Sequence, residues 1–220
     1  MIPSDYLKIY TAEPGELANT ALYEKVYRQL PAFRKQRADK YNNENVRLES
    51  VAAFGLLIYA LKQAGLPMDR PSIWDELDCR VTEKGKPYFA GIQDIHFSLS
   101  HTKGAVLCAI SGTNIGCDIE VPDRKVDIAG IERLVLSDKE REKFDICDRL
   151  AFFRIWTRKE AYVKYTGEGL GAEFNTFSVD ETDIPSFTDE QDGYVRAVCS
   201  PLISFMPEIA KVALSRFFLD

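Results

Sequence analysis

The stretch IHFSLSHTKGAVLCAISGTNIGCDIEV, residues 95–121, decides the fold. Residues 95–99 alternate as a strand does, Thr102-Lys103-Gly104 is turn chemistry, and 105–110 is an apolar run of buried-strand length. Ser111-Gly112-Thr113-Asn114 makes a second turn before a further strand at 115–121. The run at 105–110 reads as the antiparallel partner of the strand at 95–99 across that first turn.

Working outward, residues 5–10 alternate weakly and read as a first strand. The pattern is helical over 21–40, interrupted at Pro31, and again over about 46–64, where Val51, Phe54, Leu57, Ile58 and Leu61 recur at helical spacing. Gly65 is placed to cap that helix and Pro67 to stop it. Residues 79–89 read as two short strands around Lys84-Gly85-Lys86-Pro87. Downstream, helical patterns cover 125–135, 137–147 and 148–166, and strands are expected at 174–179, 194–199 and 212–218. Strands are segregated from helical runs, which makes the class α+β. Each half runs through helices and antiparallel strands in a similar order, without a repeat visible in residue identity.

At 220 residues the chain has ample length for a core. Its net charge of −6 excludes a protein that coats nucleic acid nonspecifically, because neutralising phosphates needs a basic surface. Five cysteines, at 79, 108, 117, 147 and 199, form no CxxC pair and no disulfide framework. The segment MIPSDYLKIYTAEPGEL has no basic stretch leading into an apolar one, so no signal peptide is expected. The apolar run at 51–61 is far shorter than the ~20 residues of a membrane helix. These features point to the cytoplasm, with no membrane partner.

Gly116-Cys117-Asp118-Ile119-Glu120 carries the first chemical signal. On a strand Asp118 and Glu120 share one face while Cys117 and Ile119 point into the core. Carboxylates about 7 Å apart on one face repel unless a cation intervenes, and oxygen ligands of this kind suit Mg²⁺. Solvated acids on an edge strand are the commoner reading of such a pair by itself. The second signal is the helix Phe152-Phe153-Arg154-Ile155-Trp156-Thr157-Arg158-Lys159-Glu160-Ala161-Tyr162-Val163-Lys164. Phe152, Trp156, Glu160 and Lys164 fall on one stripe. A surface Glu–Lys pair would account for the last two but not for the aromatics beside them.

In His96-Phe97-Ser98-Leu99-Ser100-His101-Thr102, alternation puts His96, Ser98 and Ser100 on one face and leaves His101 at the strand end, as a base, a phosphate donor or merely a turn residue. Gly85-Lys86-Pro87 offers a turn lysine that meets either a phosphate or water. Arg34, Lys35, Arg37, Lys40 and Arg47 put five cations within fourteen residues, an anion site or a solvated helix face. No GxxxxGK[ST] loop, GxSxG elbow or HExxH pair is present, and Gly167 to Gly171 follows a helix rather than opening one.

Together these segments resemble the 4′-phosphopantetheinyl transferases of the larger, surfactin-synthetase-activating type. The family pattern Gly-x-Asp-x-Glu matches Gly116, Asp118 and Glu120, and Trp-[Ser/Thr/Cys]-x-Lys-Glu-[Ala/Ser]-x-x-Lys matches Trp156, Thr157, Lys159, Glu160, Ala161 and Lys164. The Gly-Lys-Pro at 85–87 and Phe-Ser-Leu-Ser-His at 97–101 agree as well, so the likeness covers about residues 80–180. Cys117 stands where the family usually has Val, Ile or Ala.

The resemblance implies a pseudo-twofold α+β protein of two similar halves, each with a small antiparallel sheet packed on helices. Residues 1–112 would supply the nucleotide-binding and basic residues, and 113–220 the metal-binding carboxylates. Coenzyme A would lie between the halves, with Mg²⁺ held by Asp118, Glu120 and Glu160. Lys164, His101 and Ser100 would meet phosphates, Lys86 and Pro87 the nucleotide end, and Arg47, Arg37 and Lys40 the 3′-phosphate. The implied reaction moves the 4′-phosphopantetheine arm to a serine of an apo acyl or peptidyl carrier protein and releases 3′,5′-ADP. Glu160 would be the base, with His101 its rival, in a monomeric enzyme. Two other readings share these residues: a Mg²⁺-dependent pyrophosphate hydrolase, and a noncatalytic module that binds carriers.

Overall fold

The computed structural model describes residues 2–70, 72–122 and 125–219. The chain runs through β1 (Leu7–Ala12), α1 (Thr20–Gln29), α2 (Ala32–Asp39), the long α3 (Glu44–Gln63) and a short α4 (Ile73–Leu77). The strands β2 (Cys79–Val81), β3 (Pro87–Phe89), β4 (His96–Thr102), β5 (Ala105–Ser111) and β6 (Gly116–Glu120) follow. Then come α5 (Ile128–Val135), α6 (Asp138–Arg141), α7 (Arg149–Thr166), β7 (Ser186–Gln191), β8 (Tyr194–Cys199), β9 (Ile209–Lys211) and α8 (Leu214–Leu219).

Local chemistry sets the helix ends. Pro31 separates α1 from α2, where its missing N–H costs nothing. Asn43 opens α3 by accepting from Val46 N, and Asp148 opens α7 by accepting from Ala151 N. Gly167 closes α7 at φ +79°, a left-handed conformation that glycine adopts without strain.

The strands form three small sheets: β4-β5-β1-β9, β6-β8-β7, and the β2-β3 hairpin. The helix α3 lies across β4, β5 and β1, with Tyr10, Val106, Cys108 and Ile110 in the core beneath it. The alternate residues Ile9, Leu107 and Ala109 face Cys117, Ile119 and Val198 of the second sheet. That sheet carries α7 on its far side, where Ala161 meets Ala197 and Cys199. The main architecture is thus helix, sheet, sheet, helix, a mixed α+β arrangement. Among the described residues, no helix is long and apolar enough to cross a membrane.

Several expectations are corrected. The first sheet is mixed rather than antiparallel, because β9 pairs parallel with β1. Residues 174–179 are no strand: short 3₁₀ turns lie at Phe174–Thr176 and Val179–Glu181. Their carbonyls turn inward, those of Phe174 and Phe177 each accepting from Lys159 Nζ at 2.7 Å. Residues 212–218 mostly form α8, whose first N–H groups donate to Glu16, nearly two hundred positions upstream. Within the expected helix at 137–147, α6 covers only Asp138–Arg141. The strand β7 went unread, although Asp192 and Gly193, both at positive φ, form a turn suited to the hairpin with β8.

Candidate active site

The site lies where β6, β4 and α7 converge. Gly116 lets α7 approach β6 closely, since a Cβ there would run into the backbone of Ala161 and Tyr165. With Cys117 and Ile119 in the inter-sheet core, Asp118 and Glu120 face the helix. Edge to edge, β6 is stitched to β4 by Cys117 N, which donates to Ser98 Oγ at 3.0 Å, and by Cys117 Sγ, which donates to Ser98 O.

Asp118 is 4% exposed. Its Oδ1 accepts from Ser100 Oγ and from Lys164 Nζ, both at 2.6 Å, and Lys164 Nζ also donates to Ser100 Oγ at 2.9 Å. Its Oδ2 is buried without a hydrogen-bond partner among the described residues. Glu120 Oε2 accepts from Thr102 Oγ1 at 3.4 Å. Burial pushes the Glu160 carboxyl up to about 7, Asp118 and Glu120 adding to the shift, while Lys164 and the neighbouring Trp156 indole oppose it. Burial pulls the Lys164 ammonium down, but Asp118 and Glu160 more than offset this and its pKa is raised.

Asp118 and Glu160 thus bear on one lysine with Glu120 acting on Glu160, and a buried acceptor is left over. That donor set fits a hard cation. Among the described residues no three His, Cys, Asp or Glu side chains stand together at metal-holding distance, and Lys164 is the cation drawn onto Asp118.

The aromatic members of the α7 stripe have another role. Phe152 and Phe153 are buried, Trp156 packs on both rings, and this cluster joins α5 to α7. They are core rather than ligand surface.

His101 closes the site on the β4 side. Burial lowers its pKa, with the charges of Lys164, Arg34 and Arg37 acting the same way and Asp118 opposing them. Of the basic stretch, then, Arg34 and Arg37 bear on His101. Arg34 lies over the Phe54 ring at 4.1 Å and donates through Nη2 to Ser50 Oγ, while its buried Nε has no hydrogen-bond partner among the described residues. By sequence, Arg34 is one of five cations in the stretch 34–47 and nothing in its spacing sets it apart. Arg47 is placed over Tyr23, and Lys40 is exposed at the end of α2.

Lys86 stands apart from this cluster. Its Nζ donates to Asn114 Oδ1 at 2.7 Å and to Tyr165 O at 2.9 Å, and burial lowers its pKa to about 8. With Pro87, Phe89, His96 and Phe97 it lines a largely apolar cavity of about 370 Å³.

The profile of the 4′-phosphopantetheinyl transferase superfamily matches residues 114–201. The chain is 30% identical over 164 residues to the 4′-phosphopantetheinyl transferase Sfp of Bacillus subtilis (strain 168), covering 63% of this chain and 70% of that protein. It is 34% identical over 102 residues to another Bacillus subtilis 4′-phosphopantetheinyl transferase, covering 45% of each chain. With the 4′-phosphopantetheinyl transferase gsp of Aneurinibacillus migulanus it shares 33% identity over 116 residues, 51% of this chain and 48% of that one. Against the last two, the match spans about half the relative's length.

Proposed function

The chain belongs to the 4′-phosphopantetheinyl transferase superfamily, and from that premise we propose that it moves the 4′-phosphopantetheine arm of coenzyme A to a serine of an apo acyl or peptidyl carrier protein. The observation that carries the reading is the cluster of Asp118, Ser100 and Lys164, with Glu120 and Glu160 beside it. In the reaction the serine oxygen bonds to the phosphorus bearing the pantetheine arm, the bond from that phosphorus to the nucleotide breaks, and 3′,5′-ADP leaves.

Asp118, Glu120 and Glu160 would hold Mg²⁺, which when bound offsets the charge of the pyrophosphate. The orphaned Asp118 Oδ2 and the charges of Asp118 and Glu120 felt at Glu160 support that assignment. Lys164 and Ser100 orient the phosphates through N–H and O–H donors already directed into the cluster. Arg34 and Arg37 supply the cationic side of the pocket, with His101 beside them. Glu160 takes the serine proton, with His101 as the rival acceptor. Lys86 and Pro87 border the cavity where the nucleotide end would lie, and in this reading Lys86 shapes that cavity rather than pairing with a phosphate. Arg47 and Lys40 are secondary candidates for the 3′-phosphate.

The reading includes a pseudo-twofold relation of two halves, 1–112 and 113–220, with α3 on its sheet as counterpart of α7 on the second. The segment β9 and α8 returns to the first half, β9 pairing with β1 and α8 packing on α1 and α3. We take the enzyme to be a cytoplasmic monomer. Incubating an apo carrier with the protein, coenzyme A and Mg²⁺ should add one phosphopantetheine by mass spectrometry. Consumption of coenzyme A without any carrier would instead make it a hydrolase.

A further inference from the structure

Asn114 stands in the link between β5 and β6. Its Oδ1 accepts from Lys86 Nζ at 2.7 Å and from Ile115 N at 3.1 Å, and its Nδ2 donates to Tyr165 O at 2.6 Å. Lys86 Nζ donates to that same carbonyl at 2.9 Å, so lysine, amide and carbonyl bond one another in a closed triangle. Both partners of Oδ1 can only donate and the partner of Nδ2 can only accept, which fixes the orientation of the amide.

Three elements meet at this triangle. Tyr165 lies in the last turn of α7, where carbonyls run out of helical N–H partners and a cation is favoured. Lys86 comes from the tip of the β2-β3 hairpin, and Asn114 from the approach to the second sheet. The hairpin tip also rests on the chain beyond α7, so closely that a Cβ on Gly169 would run into the backbone of Lys84. Lys86 and Asn114 line the same cavity as Pro87, His96 and Phe97. An ammonium on a flexible stem has three rotatable donors and no preferred pose of its own. The amide supplies a second acceptor beside the helix carbonyl, and the two together hold the lysine in one place. Lys164, the residue before Tyr165, is held separately by Asp118 and Ser100.

We propose that Asn114 is a positioning residue for coenzyme A binding, whose amide locks Lys86 onto the end of α7 and so holds the hairpin wall of the cavity against the nucleotide end. What fills the cavity rests on the transferase reading; the clamp itself does not. Asn114 acts through Lys86 rather than as a ligand residue. Because Lys164 keeps its own partners, losing the clamp loosens the nucleotide side and spares the side where phosphorus is transferred. The effect therefore belongs in KM for coenzyme A and not in kcat.

The clamp is read by acetylating the folded protein with a limiting dose of acetic anhydride and locating the modified lysines by peptide mass spectrometry. Asn114→Ala should raise labelling at Lys86 while Lys159, which is 0% exposed, stays as protected as in the wild type. By calorimetry the variant should bind coenzyme A about tenfold more weakly, the scale of one hydrogen bond to a charged group. In carrier modification KM for coenzyme A should rise by about the same factor, with kcat within about twofold. Asn114→Asp, which keeps an acceptor for Lys86, should restore both protection and affinity. In a Lys86→Met background, Asn114→Ala should add less than about twofold, since the amide acts through the lysine. Asn114→Ser gives the same comparison if the Ala variant does not fold. Unchanged labelling at Lys86, an equal rise at Lys159, a fall in kcat at unchanged KM, or additive losses in the double variant would each overturn the proposal. If Lys86 labelling responds as expected but the wild type neither binds coenzyme A nor modifies a carrier, the transferase reading fails and the Asn114–Lys86 clamp stands.

Discussion

Lys159 Nζ lies 2.6 Å from Glu140 Oε2, with the two side chains 0% and 6% exposed. The same ammonium donates to the carbonyls of Val135, Phe174 and Phe177, while Glu140 accepts from Ser137 N and Val179 N. One buried pair thus ties the end of α5, the start of α6 and the 174–179 loop to the back of α7, one residue before Glu160.

Removing either partner strands the other. Lys159→Met should cost about 3–5 kcal/mol of folding free energy, the range for breaking a buried ion pair from one side, read as a lower urea midpoint. The double variant Lys159→Met, Glu140→Gln should be more stable than the sum of the single changes, because no unpaired charge remains. Equal and additive losses would mean that the pair is not coupled.

Asp118→Asn keeps an acceptor for Ser100 and Lys164 but removes one of three crowded charges. Transfer activity should fall at least 100-fold by carrier mass spectrometry, on the scale of losing a principal electrostatic group. Mg²⁺ at a hundred times its dissociation constant should stabilise the wild type by about 2.7 kcal/mol, seen as a rise in Tm, and should leave the Asn variant nearly unmoved. A chelator should abolish wild-type transfer. Equal Mg²⁺ stabilisation of both proteins would remove Asp118 from the metal site.

Among the basic residues, Arg34 and Lys40 should behave differently. Arg34 has a buried Nε without a hydrogen-bond partner among the described residues and a charge felt at His101, whereas Lys40 is exposed. Arg34→Ala should weaken coenzyme A binding by about 10-fold or more, as expected from losing a hydrogen bond to a charged group worth about 1.5–3 kcal/mol. Lys40→Ala should change it less than about twofold. Calorimetric titration decides, and reversed sensitivities would return the 3′-phosphate to the end of α2.

What the sequence made legible was whatever its local pattern enforces. The helix α3, the β4-β5 hairpin and the strand bearing Asp118 and Glu120 follow from periodicity and turn chemistry, and Glu160 and Lys164 share a face because helical spacing requires it. The failures occur where a distant residue satisfies the backbone: Lys159 takes the carbonyls of 174 and 177, and Glu16 receives the N–H groups that open α8. Asn114 was invisible for the same reason, since it reads as a turn residue and its partners Lys86 and Tyr165 are on other elements. Lys86 was a turn lysine by sequence and became a tether to α7 only through the fold.

That tether gives a pH dependence with a definite sign. Burial lowers the Lys86 pKa to about 8, below the ~10.4 of an unfolded lysine. Between those values the unfolded chain holds a proton that the folded chain has released, so the Lys86 contribution to stability rises with pH across that window and is flat below it. A neutral amine still has two N–H groups, enough for both Asn114 Oδ1 and Tyr165 O. In Lys86→Met those acceptors lose their donor at every pH, so the variant provides the baseline. Urea unfolding at about pH 7.5 and 9.5 should show wild type gaining on Lys86→Met at the higher value. A gap that narrows as pH rises would mean that the ammonium form is the one the folded protein prefers.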